Sequence, residues 1–269
     1  ASTNFFSSVI NEHDLSVLSL CTPVFVGVFA LQLIHELAHR LAARRRKMRV
    51  GLPVPLPSFP FGFLGCITPL RSFPRNQASL FDFAISGPLA GILTSLALVV
   101  GGLLATVHST PADLAKYPMV PVAMLKGSFL TGSMLSFFLP KALLLPAAQP
   151  VAISPLFVIG FTGLFTNALN MLPIGRLDGG RAYRAVFGTK SASLASPLSF
   201  LTLALLAISS KSLLSLFWAI YILLFQQKPE IPVRNDVTEV DDTRVVIYLV
   251  TLLLSFLTLT PFSGGMGFL

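Results

Sequence analysis

Long stretches without a charged residue divide this chain. Residues 15–34, 83–112, 142–175, 191–210 and 245–269 contain no Asp, Glu, Lys or Arg. Each is long enough for a helix that crosses a bilayer, which takes about 20 residues. Residues 212–227 form a shorter apolar stretch. With Lys211 they read as the return limb of a hairpin near 193–225 whose tip is Ser209-Ser210-Lys211. The pattern predicts an all-α polytopic membrane protein, a helical bundle of about six spanning helices. No internal repeat or low-complexity linker interrupts it, so 1–269 reads as a single membrane-embedded domain.

The cations set an orientation. Arg40, Arg44, Arg45, Arg46, Lys47 and Arg49 follow the first apolar stretch, and Arg176, Arg181 and Arg184 follow the third. Such clusters stay on the cytoplasmic side of a membrane or its organellar equivalent. The first helix therefore ends on this inner side, and the second, about 83–105, runs outward. The helix ending near Gly175 comes back in. Parity then requires residues 117–149 to cross twice or not at all. Lys126, Lys141, Pro118, Pro121, Pro140 and Pro146 interrupt them, which suits an outer-side insert or a shallow re-entrant hairpin. Residues 226–244 form an inner loop, and a last helix over about 245–260 ends outside.

Residues 51–74, between the first two helices, break the helical pattern. They are dense in proline and phenylalanine, and Phe61-Gly-Phe-Leu-Gly-Cys-Ile-Thr68 suits an extended, β-like segment. Irregular backbone at membrane depth survives only when buried in protein or lining a wet cavity. A strand edge in that position could pair with an unwound peptide; a plain surface loop is the alternative.

Composition narrows the class. Hydrophobic residues make up 54% of the chain and charged ones 11%, with a mean hydropathy of +0.78, which excludes an ordinary soluble domain. The net charge of +8 sits beside apolar runs without any nucleic-acid recognition motif, so membrane orientation explains it and nucleic-acid binding is not expected. Cys21 and Cys66 are too few for a disulfide framework or a thiolate metal site and read as small apolar filler. The chain opens at Ala1 with no recognisable cleavable signal peptide.

The chemistry concentrates in His35-Glu36-Leu37-Ala38-His39, inside the first apolar helix. Histidines at i and i+4 share a helical face, so both imidazoles reach one metal ion, while Glu36 can act as a base toward an attacking water. At 1.5 Å per residue His39 lies about 7–8 Å before Arg44, which puts the motif roughly 8–14 Å below the inner surface. A hydrolytic zinc site takes three protein ligands. His13 precedes the helix, His108 falls on the outer side, and of the acids only Asp82 and Asp178 flank apolar spans on the inner side. Asp82 reads as a helix-start residue. Asp178, held in Leu177-Asp178-Gly179-Gly180, is the better third ligand. Asn170 lies eight positions earlier; its amide either supports a substrate carbonyl or oxyanion or makes a helix–helix hydrogen bond. Ser86-Gly87-Pro88-Leu89-Ala90-Gly91 suits tight packing against the metal helix.

Taken together, His35-Glu36-x-x-His39, Gly87-Pro88-x-Ala90-Gly91 and Asn170-x-x-Pro173-x-x-x-x-Asp178-Gly179-Gly180 resemble the site-2 protease family of intramembrane zinc metalloproteases, over about residues 15–185. The resemblance implies Zn2+ held by His35, His39 and Asp178, Glu36 activating water, and Asn170 at the substrate or transition state. It makes 15–185 the catalytic core, with the proline-rich 51–74 segment similar to the family's re-entrant substrate-binding region, and about 191–260 C-terminal helices. It also implies cleavage of a membrane-protein substrate, a single-pass helix, within the lipid bilayer. Residues 167–181 and Asn235-Asp-Val-Thr-Glu-Val-Asp241 are similar to the plastid and cyanobacterial branch, the ethylene-dependent gravitropism-deficient and yellow-green type. That branch implies a chloroplast, thylakoid membrane with the active site toward the stroma. Met171 stands where many members carry Pro after the Asn, and the branch's longer soluble N-terminal region and any PDZ-like domain have no counterpart in this sequence. A zinc-holding membrane chaperone or scaffold without turnover is the alternative within the fold. A metal transporter would need polar groups along several helices, and the outer halves here are nearly bare. Substrate identity and oligomeric state are not readable from the residues.

Overall fold

The computed structural model describes residues 16–58, 62–210, 220 and 230–262. Helix α1, Ser16–Arg45, is followed by strands β1, Val54–Ser58, and β2, Gly62–Ile67, and by helix α2, Gln77–His108. Short elements come next: α3, Pro111–Leu114; β3, Met119–Pro121; α4, Val122–Leu125; α5, Phe129–Phe138; α6, Pro140–Leu143; and β4, Pro150–Ala152. Helix α7, Pro155–Asn170, leads through a turn into α8, Asp178–Ser210, and α9, Asp242–Leu259, closes the order.

Three of these helices are long and apolar enough to cross a membrane: α1 over Thr22–Arg45, α2 and α9. Helices α5 and α7 are apolar but shorter. The 142–175 stretch gives only the 16 residues of α7, about 24 Å of helix, less than a straight crossing of a core about 30 Å thick. No described helix within 117–149 has the length to cross. The first limb of the expected 193–225 hairpin is the continuation of α8, and its return limb lies outside the described residues apart from Ile220.

Two two-stranded antiparallel sheets amend the all-α expectation. The β1–β2 hairpin occupies the proline-rich segment expected to be β-like. Pro55 and Pro57 cannot donate to a ladder, and the register shifts between them as at a bulge. The β3–β4 pair joins Met119–Pro121 to Pro150–Ala152 and had no forerunner in the pattern, because three-residue strands carry no periodicity. Helix α8 is two helices merged across Gly188, whose φ of 81° and ψ of 168° are not helical. That backbone region is open to glycine at little cost.

The chain packs as two compact units. Of the described residues the first takes 16–31, 93–164 and 257–262. Within it the second half of α2 and α7 approach closely through glycine. A Cβ at Gly102 would meet the backbone of Phe157, and one at Gly160 the backbone of Ser95 and Val99. Such small-residue seams replace the hydrophobic drive that lipid does not supply. The second unit takes 32–92 and 165–256. Its core is Leu80, Phe81, Ala84, Ile85, Met171, Ala182, Ala185, Val233 and Tyr248. The 230–241 segment is pinned to the start of α2. Arg234 N–H donates to the Pro74 carbonyl and Asn235 N–H to the Arg75 carbonyl, and Gln77 donates to Asp236. Every residue of the site described next belongs to this second unit.

Candidate metal centre

Over residues 33–43 of α1 the two histidines and Glu36 face inward and the leucines outward. His35, Glu36, His39 and Ala43 are buried, while Leu33, Leu37 and Leu41 are exposed. Charged and imidazole groups in an apolar helix must find partners inside the protein, and a four-residue step keeps 35 and 39 on one side. Their Nε2 atoms lie 3.0 Å apart.

Asp178 is the first residue of α8, where the helix dipole favours a carboxylate. The two glycines after it let that helix start press against the preceding turn. A Cβ on Gly179 would strike the Met171 carbonyl, and one on Gly180 the carbonyls of Ile174 and Gly175. The result brings Asp178 Oδ2 to 3.3 Å from His35 Nε2 and 3.2 Å from His39 Nε2.

His35, His39 and Asp178 thus offer three donor atoms within 4.8 Å of one another, all buried. A tetrahedral site with bonds of about 2.0–2.1 Å has ligand–ligand edges of about 3.3–3.4 Å, close to the spacing found. The outward ring nitrogens are also engaged. His35 Nδ1 is 2.8 Å from Asn167 Oδ1, and His39 Nδ1 is 2.8 Å from the Phe83 carbonyl. Both partners are acceptors, so each Nδ1 carries the proton and each Nε2 keeps its lone pair for a cation. Gly87 completes the cradle: a Cβ there would run into Nε2 of both histidines. Donor set, spacing, tautomer and space all fit a single divalent ion of the zinc type.

Glu36 lies outside this donor set. Thr68 Oγ1 donates to Glu36 Oε2, and Gln32 Nε2 donates to Oε1 at 3.3 Å. Thr68 itself closes the hairpin segment, and its carbonyl accepts from Arg181 Nη1 at 3.1 Å. Arg181 is 2% exposed, ion-paired with Glu230, and 3.8 Å from Asp178 Oδ1. Its guanidinium stands 5.6 Å from the Phe83 ring centroid, in the range of a cation–π contact. One buried arginine therefore touches the hairpin end, the carboxylate of the ligand set and the 230–241 segment.

Asn170 is buried. It faces Gly65 of β2, where φ is 122° and a Cβ would stand 3.1 Å from Asn170 Nδ2. That φ is one that glycine adopts at little cost, and an added Cβ would crowd the Asn170 amide. Asn167, one helical step earlier, makes a helix–helix hydrogen bond to His35. Asp82 does not reach the centre; it binds Arg46 and Arg244.

The pattern along the chain did not mark Asn167, Thr68, Gln32, Arg181 or Glu230 as part of this site. For Asn167 a signal existed: Asn167 and Asn170 are one helical step apart in an otherwise apolar helix. Thr68 and Glu230 join the site through contacts 32 and 49 residues away in sequence, which local pattern does not encode.

A helix able to span a membrane that carries a buried three-donor metal cradle defines a membrane metalloprotein. The chain belongs to peptidase family M50, which residues 23–208 match. It is similar to the probable zinc metalloprotease EGY1, chloroplastic, of Oryza sativa subsp. japonica, at 39% identity over 239 residues, covering 89% of this chain and 40% of that protein. The protein of the same name from Arabidopsis thaliana is 36% identical over 240 residues, covering 89% and 42%. The probable zinc metalloprotease EGY2, chloroplastic, of Oryza sativa subsp. indica is 32% identical over 245 residues, covering 91% and 42%. The chain spans about two fifths of the length of these relatives. No solved structure matches it.

Proposed function

We propose that this chain is an intramembrane zinc metalloprotease that hydrolyses peptide bonds of transmembrane helical substrates. The observation that carries the reading is the convergence of His35, His39 and Asp178 on one buried point in a helix long enough to span a membrane. Family membership and the printed names of the relatives support the same chemistry and the same metal. When bound, zinc supplies Lewis-acid polarisation of the carbonyl and acidifies the attacking water. His35, His39 and Asp178 hold the ion. Glu36 takes the proton of the water that adds to the peptide carbonyl carbon, and returns it to the amide nitrogen as the C–N bond breaks. Asn170, whose amide nitrogen faces Gly65 of β2, donates to the oxygen that gains charge.

The substrate on this reading is a single-pass helix that must unwind, since a helical amide is shielded by its own hydrogen bonds. An open edge of the β1–β2 hairpin then takes the extended segment, and helix breakers near the cut are expected. Residues 1–269 act as one domain in this reading, with a core over about 15–185, about six spans and a re-entrant hairpin. The chloroplast membrane is its location, supported by the relatives' names, with the thylakoid as the membrane and the inner side toward the stroma.

The test is Glu36→Gln in purified chain with a model membrane substrate. Zinc stays at one per chain and cleavage falls by at least a thousandfold. Cleavage at the wild-type rate removes Glu36 as the base. A wild-type chain that holds zinc and cuts no membrane substrate returns the reading to a zinc-binding chaperone or scaffold.

A further inference from the structure

The end of α1 builds a second polar site that the hydrolytic reading does not use. A cavity of about 290 Å³ opens between Arg46, Lys47, Ser72, Phe73, Arg75 and Arg234. That volume is just below the range of sites for drug-sized ligands, about 300 Å³ and upward, so it suits a headgroup fragment. Four cations line it. Arg46 is ion-paired with Asp82, a carboxylate that also takes Arg244. Lys47, Arg75 and Arg234 have no ion pair among the described residues. Like charges gathered this closely repel one another unless an anion sits among them.

The walls are held in place before any ligand arrives. Residues 49–51 are laced to 69–71 by Gly51 N–H to the Pro69 carbonyl and Arg71 N–H to the Arg49 carbonyl. Arg234 is held beside Arg75 by the backbone bonds from 234 and 235 to 74 and 75. Ser72 Oγ accepts from Arg49 N–H at 2.8 Å, so its own proton is free to donate. Lys47 occupies the left-handed position that ends α1, with φ of 54°. Met48 N–H returns to the Ala43 carbonyl and Lys47 N–H to the Arg44 carbonyl there. Glycine fills such a position at least cost, and here the chain keeps a cation in it.

We propose that this pocket binds a phosphate- or sulfonate-type anion, and that its source is the headgroup of an anionic lipid. The placement argues for lipid over a free ion. The pocket sits just past Arg45, the last residue of a span-length helix, at the level where headgroups lie. Leu37 and Leu41 are exposed on the turns leading to it, and Phe73 in its wall is 53% exposed, which gives an acyl chain and a glycerol backbone apolar surface to lie on. Arginine forks match the tetrahedral oxyanion. The site therefore reads one headgroup out of the bilayer and ties three chain segments to it: the end of α1, the β2–α2 connection and the 230–241 segment. This inference rests on the membrane reading and not on proteolysis.

Native mass spectrometry of the full chain in detergent, titrated with phosphatidylglycerol or phosphatidylcholine, tests it, with inorganic phosphate as the soluble arm and thermal stability as a second readout. The pocket variant is R75Q/R234Q, which leaves the Arg46–Asp82 pair intact. The control is R44Q/R45Q, which removes the same charge from the neighbouring helix turn. Zinc content reports that each variant is folded, and Lys47→Gln serves if the double variant is not. We expect one phosphatidylglycerol bound at least tenfold more tightly than phosphatidylcholine, a tenfold or greater loss in R75Q/R234Q, and little change in R44Q/R45Q. Stabilisation by inorganic phosphate alone, lost in the pocket variant, keeps the anion site and overturns the lipid source. Equal loss in both variants, or no preference for either anion, overturns the site.

Discussion

Arg181 and Arg244 both bind carboxylates, and their surroundings give the two networks different weight. Arg181 is almost wholly buried, as is its partner Glu230, with side-chain exposures of 2% and 6%. Its Nη1 donates to the Thr68 carbonyl and lies toward Asp178. Arg244 keeps a quarter of its side chain exposed and shares Asp82 with Arg46, while also holding Asp241. Exposed ion pairs contribute about 0–1 kcal/mol, because water competes for both partners. Breaking a buried pair costs about 3–5 kcal/mol, since it strands a charge away from water. The same residue types thus join the candidate metal centre in one place and trim a surface in the other. The buried network is also where the hairpin, Glu36 and the metal cradle meet.

The largest effect is expected in the buried region, at Gly87. Gly87→Ala should remove stoichiometric zinc, because the added methyl falls on both Nε2 atoms, while Gly101→Ala, where a Cβ meets nothing within 4 Å, should keep it. Metal analysis of the two purified variants makes the check, and equal zinc in both would break the contrast. Next comes Arg181→Met, which leaves Glu230 buried without its cation and should destabilise the chain by about 3–5 kcal/mol. Thermal or denaturant unfolding in detergent reads the loss; a change under about 1 kcal/mol would place Arg181 with the surface pairs.

A smaller effect is expected at Thr68. Thr68→Val removes the hydroxyl that holds Glu36 Oε2 and should lower kcat about tenfold, the loss of roughly one hydrogen bond to a charged group. KM and zinc content should hold, and Thr68→Ser should restore the rate. An unchanged kcat in Thr68→Val would show that Glu36 aims itself. Asp82→Asn should do least, costing no more than about 1 kcal/mol and leaving zinc and cleavage intact. A larger loss would mean that the Arg46–Asp82–Arg244 cluster carries more of the fold than its exposure implies.

Much of the buried centre was legible in the chain because its logic is local or exclusionary. His35 and His39 are one turn apart, and Asp178 stood out because so few acids lie beside an apolar span on the right side. The β-like character of 51–74 was legible because proline and glycine forbid helix there. Helix ends were not. Helix α2 starts at Gln77 rather than near Phe83 because Asn76 caps it, accepting from Ser79 N–H at 3.0 Å. Charge-free stretches report which residues tolerate lipid, not where a helix begins. For the same reason Asp82, read as a helix-start residue, sits within α2 and serves as an ion-pair hub. Asn167 and Asn170 look alike in sequence, and only the packing assigns one to His35 and leaves the other facing Gly65.

The most direct test of the metal centre is X-ray absorption at the zinc edge on the purified chain, paired with zinc content in H35A/D178N. We expect one zinc per chain with nitrogen and oxygen ligands at about 2.0–2.1 Å, two of them imidazoles, and none bound in the double variant. One zinc per chain retained in H35A/D178N, or a sulfur-dominated shell in the wild type, would contradict it.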